Sequence, residues 1–357
     1  FHTFSHWLEP LGINVVWLTG KQKAQVKRQS LVAIASGEGQ VIVGTHALFQ
    51  EAVEYQHLGL IIIDEQHRFG VAQRHSLVKK APLGRGLHQL VMTATPIPRT
   101  LAMSVYGDLD HSLIDELPPG RKPINSVLLN NIKRAEVIER IHLACNSGQQ
   151  VYWICPLIEA SEVLQCEAAQ DTAALLTQQL NNIKVGLVHG RLSGTEKAEV
   201  MAQFKAGDIQ LLVATTVVEV GVDVPNANLM VIDNAERLGL AQLHQLRGRV
   251  GRGQVQSHCL FMYQAPLSAM GRERLDILRQ SNDGFVIAEK DLQLRGPGEV
   301  LGTRQAGAVG LRIADLMRDA HLLPEVKVIA EGYTNYPHKT EKIISRWVGE
   351  NRAFAKV

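Results

Sequence analysis

Short, nearly uninterrupted apolar runs punctuate the first hundred residues: INVVWLTG at 13–20, QVIVGT at 40–45, LGLIIID at 58–64 and QLVMTA at 89–94. Between and after them lie polar stretches of helical length, over 22–36, 71–80 and 97–106. Continuous apolar runs separated by helix-length segments predict βαβ units, with a parallel sheet covered on both faces. Residues 115–124, DELPPGRKPI, gather three prolines and a glycine; such a stretch breaks any regular element and marks an interdomain linker.

The same rhythm then begins again. QQVYWICPL, IKVGLVHG, IQLLVAT, NLMVIDNA and SHCLFMY read as strands, with helices over 166–181 and 195–206. The pattern therefore predicts two tandem α/β domains, each with its own parallel sheet. Beyond about residue 266 the chain turns to charged helical segments around a glycine-rich insert, DLQLRGPGEVLGTRQAGAVG, with no clear strand. The expected division is 1–118, 119–265 and a small, mainly helical 266–357 that packs on the second domain.

Composition adds limits. A chain of 357 residues accommodates two domains and a smaller third. A formal net charge of +2, from 37 basic and 35 acidic residues, gives no global steering field, so any nucleic-acid contact must come from local basic clusters. The four cysteines, Cys145, Cys155, Cys166 and Cys259, fall in no metal-ligand spacing and suit structural thiols of a reduced, cytoplasmic protein. No apolar run approaches the ~18 residues of a membrane span, and FHTFSHWLEP lacks the pattern of a signal peptide. The first residue is Phe1 and no methionine precedes Met92, which suggests the later part of a longer polypeptide.

Candidate chemistry sits at the ends of the predicted strands. Asp64 and Glu65 follow Leu60–Ile63, at the carboxyl end of a strand, where open α/β sheets bind ligands. A carboxylate there can hold magnesium through its water shell, and a second can orient or deprotonate a water for attack on phosphate. Two solvated acids at a strand end are the plain alternative. Thr93 and Thr95 in TATPIPRT place hydroxyls one strand away, suited to coupling nucleotide state to movement, or simply to capping a helix that starts at Pro96. Thr215 and Thr216 end IQLLVAT, where hydroxyls contact nucleic-acid phosphate without reading sequence; a helix cap is again the alternative. In QLHQLRGRVGRGQ, Arg249 and Arg252 lie three apart, so a helix would project both from one face toward one phosphate group. Gly248, Gly251 and Gly253 disfavour that helix by about 1 kcal/mol each, which points to close backbone approach. A flexible RNA-binding arginine-glycine segment is the rival reading.

DEQH, TATPIPRT, ATTVVEVGVDVP and QLRGRVGR, in that order across two α/β domains, resemble motifs II, III, V and VI of superfamily 2 helicases. DEQHRFGVAQR, TATPIPRTLAMSVYGDLDHSLIDELPPGRKPI and DLQLRGPGEVLGTRQAG resemble, more narrowly, the RecG family of bacterial ATP-dependent DNA helicases. The transcription-repair coupling translocases share part of this pattern but lack DELPPGR in their linker. The resemblance implies two RecA-like domains, ATP and Mg2+ as cofactors, and branched double-stranded DNA as partner. It implies that Asp64 coordinates magnesium, that Glu65 positions the attacking water, and that Gln66 and His67 link the site to Thr93 and Thr95. Gln245, Arg249 and Arg252 match the arginine motif that completes the ATP site. Glu219, Gly221 and Asp223 fall in the motif facing nucleotide and DNA, and Arg295, Gly296, Gly298 and Gln305 in the family's translocation motif.

One element of that pattern is missing. GxxxxGK followed by Ser or Thr occurs nowhere. The nearest stretch, VVWLTGKQ, has Val15 where the first glycine belongs and Gln22 after Lys21. In the family LTG lies after the phosphate loop, so that loop and the N-terminal wedge domain are expected upstream of Phe1. The chain alone is therefore expected not to hydrolyse ATP. The first domain, expected to be incomplete, should also expose the edge of the QLVMTA strand, so that association or disorder is expected in residues 1–110, whereas the full-length protein is expected to be monomeric. Passive DNA binding without turnover, the related transcription-repair coupling translocase and an RNA helicase remain as alternative functions.

Overall fold

The computed structural model describes residues 1–66, 69–81, 86–93, 110, 112–156, 162–215, 224–253, 255–295, 318–333 and 335–347. The chain divides into two compact units. Phe1–Ala94, Leu301–Ala314 and Pro324–Val357 form the first; Thr95–Val300 and Asp315–Leu323 form the second.

The first unit carries α1 (His2–Leu8), β1 (Val15–Leu18), α2 (Ala24–Ala35), β2 (Val41–Gly44), β3 (Leu60–Ile63), α3 (Val71–Val78) and β4 (His88–Val91). All pairing is parallel, as the apolar runs predicted, but the strands form two separate two-stranded sheets, β1–β2 and β3–β4. Each has a small core of its own. Val16, Leu18, Ile34, Ala47 and Val53 pack at the first; Ile61, Ile63 and Leu77 pack at the second. The run LIII reads as apolar on both faces, yet only one is covered. Ile61 and Ile63 are 5% exposed, whereas Leu60 and Ile62 are 55% and 54% exposed. On β4, Leu90 is exposed as well, as is Met92 just past its end. Among the described residues β4 pairs with β3 alone.

The second unit contains β5 (Asn125–Asn130), α4 (Arg134–Asn146), β6 (Gln150–Cys155), α5 (Glu162–Gln179), β7 (Val185–Val188), α6 (Gly194–Ala206) and β8 (Leu211–Thr215). There follow β9 (Ala227–Ile232), α7 (Leu240–Arg247), β10 (His258–Tyr263), α8 (Ala269–Gln280) and α9 (Gly284–Arg295). Six parallel strands run in the order β5-β10-β9-β6-β8-β7. Alternate residues feed two cores, one on each face. Tyr152, Ile154, Leu212, Met230 and Phe261 pack with Phe204 of α6 and Leu243 of α7. Val151, Trp153, Val213, Val231 and Met262 pack with Ile141 of α4 and Leu176 of α5. Strands β6 and β9 are buried at every position, which is why their sequences are unbroken apolar runs rather than alternating ones. β5 and α4 were not foreseen, because β5 is a half-buried edge strand directly after the proline-rich linker. Ser193 starts α6 with a reciprocal capping box to Glu196.

The region after 266 is helical among its described residues, as expected, with α10 (Leu323–Tyr333) and α11 (Pro337–Trp347) following α8 and α9. Helices α8 and α9 pack against the second unit's α7, and residues 324–347 fall in the first unit.

Candidate functional site

The two carboxylates leave β3 on a tight turn. Asp64 is exposed, and its Oδ1 accepts the Glu65 N–H at 2.9 Å. Glu65 has φ +52°, a left-handed conformation that costs a residue with a Cβ on the order of 1 kcal/mol and that concentrates at functional sites. That twist lets the chain return at once to its neighbour strand: the Gln66 N–H donates to the Met92 carbonyl at 3.2 Å, and the Met92 N–H to the Ile63 carbonyl at 2.7 Å. The Phe69 N–H in turn donates to the Gln66 carbonyl, and its ring stacks on Phe49 and His46 at 5.1 and 4.7 Å. The turn bearing Asp64, Glu65 and Gln66 is thus stitched to the residue directly before Thr93. These four sequence-derived positions come together, whereas His67 and Thr95 lie outside the described residues.

Asp64 offers a hard oxygen donor open to solvent, with one oxygen held by its own turn. Magnesium, which keeps most of its water and takes one or two carboxylates, fits such a donor, and Asp64 would hold it through water. Among the described residues no group of three or more acidic, histidine or cysteine side chains could grip an ion directly.

In the second unit α7 presents Leu240, Leu243 and Leu246 to the core and ends at Arg247, earlier than the arginine spacing suggested. Arg249 and Arg252 therefore do not share a helical face. Gly251 adopts φ +79°, and a Cβ on Gly253 would meet the Pro225 carbonyl oxygen at 2.4 Å, so the glycines turn the chain sharply and let it pass close to another backbone. Gln245 stays on α7 and is half-buried like Arg249, while Arg252 is exposed. The linker clamps this turn: Arg121 Nη2 donates to the Gly248 carbonyl at 3.0 Å.

Sequence reasoning missed Arg247. It is 2% exposed, and its Nη1 donates to the carbonyls of Leu278 and Ser281, both at 2.8 Å. Its Nη2 lies 2.9 Å from His244 Nδ1. Burial, reinforced by Arg247, pushes the His244 pKa down to about 4, leaving a neutral ring able to accept from the guanidinium. The available signal was an arginine in the apolar register set by Leu243 and Leu246. An ion pair, Arg134 to Asp233 at 2.6 Å, closes the carboxyl end of β9, with Arg134 4.7 Å from the Trp153 ring.

Thr215 ends β8 and is 2% exposed, its hydroxyl without a hydrogen-bond partner among the described residues. Thr216, Glu219, Gly221, Asp223, Gly296, Gly298 and Gln305 lie outside the described residues, as does the side chain of Arg295 at the end of α9. All four cysteines are free and buried; burial lifts Cys155 and Cys259 to about 12, which suits inert structural thiols. Among the described residues no helix is long and apolar enough to cross a membrane.

Family models match along the chain: DEAD/DEAH box helicase at 1–104, helicase conserved C-terminal domain at 133–254, and ATP-dependent DNA helicase RecG, domain 3, C-terminal, at 281–344. The ATP-dependent DNA helicase RecG of Escherichia coli strain K12 is 56% identical over 357 residues, covering 99% of this chain and 52% of that protein. The chain belongs to the RecG family. The Haemophilus influenzae RecG is 54% identical over the same shares of each chain. A RecG structure bound to a three-way DNA junction matches 90% of this chain and 41% of its own, with 42% identity and a TM-score of 0.65. The chain spans about half the length of the curated RecG relatives it matches. The Mycobacterium smegmatis helicase Lhr, at 18% identity and a TM-score of 0.57, shares the fold.

Proposed function

We propose that this chain supplies part of an ATP-dependent DNA helicase that translocates on duplex DNA and remodels branched substrates such as forks, Holliday junctions and R-loops in the cytoplasm. The observation that carries the reading is the backbone stitch between the Asp64–Gln66 turn and the strand end at Met92 and Thr93. A carboxylate turn bonded in this way to a hydroxyl-bearing strand end transmits small displacements at a phosphate directly to the neighbouring strand. The family's three-way-junction complex supports branched DNA as the substrate class.

In this reading Glu65 would orient the water that attacks the terminal phosphate of ATP, Asp64 would hold magnesium, and Arg249 and Arg252 would stabilise charge on the transferring group. ATP and Mg2+ supply the phosphoryl group and its charge neutralisation when bound. Residues 1–357 contain no GxxxxGK loop, so the chain by itself binds DNA without sustained turnover. In a longer polypeptide carrying both this chain and a phosphate loop, Glu65→Gln should lower DNA-stimulated phosphate release by about 100-fold or more while leaving DNA binding in place. Undiminished release from the Glu65→Gln protein would refute the assignment.

A further inference from the structure

Linker residues 118–124 carry none of the side chains assigned above to nucleotide or DNA, yet they are built into the arginine turn. Pro118–Arg121 form a tight turn, closed by the Arg121 N–H donating to the Pro118 carbonyl at 3.1 Å. Pro119 and Gly120 take its two central places, with Gly120 at φ +81°, the combination a type II turn requires. The Arg121 side chain therefore starts from a fixed backbone, and only its own rotors have to be ordered when it reaches Gly248. Further along, Gln256 Nε2 donates to the Pro123 carbonyl at 2.7 Å and the Asn125 N–H to the Ser257 carbonyl at 2.9 Å. Between these ties Ile124 is buried, and a Cβ on Gly251 would meet its Cγ1 at 3.0 Å. The linker thus touches the turn at both ends, at Gly248 through Arg121 and at Gly251 through Ile124.

The contact at Gly248 falls on the peptide that leads into Arg249. Its carbonyl accepts from Arg121 Nη2 at 3.0 Å, and the Arg249 N–H of the same peptide donates to the Leu246 carbonyl at 2.9 Å. Both polar groups of that peptide are held, one by the last turn of α7 and the other by a guanidinium 127 residues away in sequence. A peptide is planar and stiff, so holding both groups fixes the direction in which the chain enters Arg249. Carbonyls at a helix end are ordinarily left to water or to a local turn. A charged donor brought in from the linker makes a stronger bond than either.

We propose that Arg121 is a positioning residue for phosphoryl transfer: it braces the Gly248–Arg249 peptide and so aims the Arg249 guanidinium. The proposal rests on the ATP-hydrolysis reading above and names what preorganises its arginine. The brace itself is read in the 357-residue chain without nucleotide. Arg121→Ala should speed amide hydrogen exchange over residues 246–252 several-fold while β6 stays as protected as in the parent. The role is read in the longer polypeptide that carries this chain and a phosphate loop. Preorganised charge acts on the transition state rather than on substrate binding. Arg121→Ala should therefore lower kcat for DNA-stimulated phosphate release about 10-fold, with KM for ATP and affinity for forked DNA within about twofold of the parent. Arg121→Lys, which keeps a cationic donor, should fall between the two, and Lys122→Ala, the exposed cation next along, should match the parent. Because Arg121 acts through Arg249, adding Arg121→Ala to Arg249→Ala should cost little more, whereas a loss of folded enzyme would multiply the two effects. Far-UV circular dichroism checks folding; if Arg121→Ala is unfolded, Arg121→Lys takes its place in each comparison. Unchanged exchange over 246–252 overturns the brace. A parental kcat in Arg121→Ala, an equal fall in Lys122→Ala, or multiplying effects with Arg249→Ala overturns the positioning role. A longer parent with no DNA-stimulated release overturns the functional reading and the role with it, an outcome distinct from a working parent that is indifferent to Arg121.

Discussion

Strands β3 and β8 have similar sequences, LIII and LLVAT, but opposite surroundings. Every residue of β8 is buried between two helical layers, whereas β3 shows alternate side chains to solvent. An apolar run encodes a strand and, through its lack of alternation, a parallel sheet; what lies over each face is decided by elements distant in the chain. In the second unit α4 and α5 cover one face and α6 and α7 the other. In the first, β3 and β4 have a covered face and a bare one.

This contrast yields predictions of decreasing size. Trp153→Ala, in the centre of the six-stranded sheet, should cost about 3–5 kcal/mol in chemical denaturation of the second unit, from lost burial and the cavity left behind. A loss below ~1 kcal/mol would show that the sheet is not the enclosed core described. Arg247→Ala should cost about 3 kcal/mol, because the carbonyls of Leu278 and Ser281 lose a buried, charge-assisted donor.

Next comes acid. His244 protonates near 6.5 when unfolded and only near 4 when folded, so the unfolded chain binds the extra proton between these values. Its contribution is fully present above about pH 6.5 and is lost as pH falls toward 4, on the order of 3 kcal/mol in all. Denaturation midpoints measured across that window should fall less steeply in His244→Gln; an unchanged pH slope would contradict a buried neutral His244. Smallest in stability is Ile62→Lys, on the bare face of β3, at about 0.5 kcal/mol or less. Its effect should instead be on association. Light scattering should find the parent chain self-associating through the bare β3–β4 face, and the variant less so; a parent that stays monomeric at every concentration would remove that idea.

Much of this was legible beforehand because the chemistry of a parallel sheet gathers at strand ends. Asp64, Glu65, Thr93 and Thr215 were each placed by a strand boundary alone, and the structure joins the first two to Thr93 through Gln66 and Met92. Separate small sheets in the first unit were not legible, since no local pattern specifies which strand pairs with which. Nor was the early end of α7: Arg249 and Arg252 suit a helix by spacing, and the φ of Gly251 overrides it. Arg247 stayed hidden because a charged residue in an apolar register reads as surface until its carbonyl partners, thirty residues on, are seen.

In the proposed function the carboxylate turn and the arginine turn are parts of a nucleotide motor whose phosphate loop is not among these residues. DNA-stimulated phosphate release, measured for residues 1–357 beside a longer polypeptide that includes a GxxxxGK loop, tests this most directly. Sustained turnover by the longer protein and none by the 357-residue chain is the predicted result; steady DNA-stimulated release by the chain alone would contradict it.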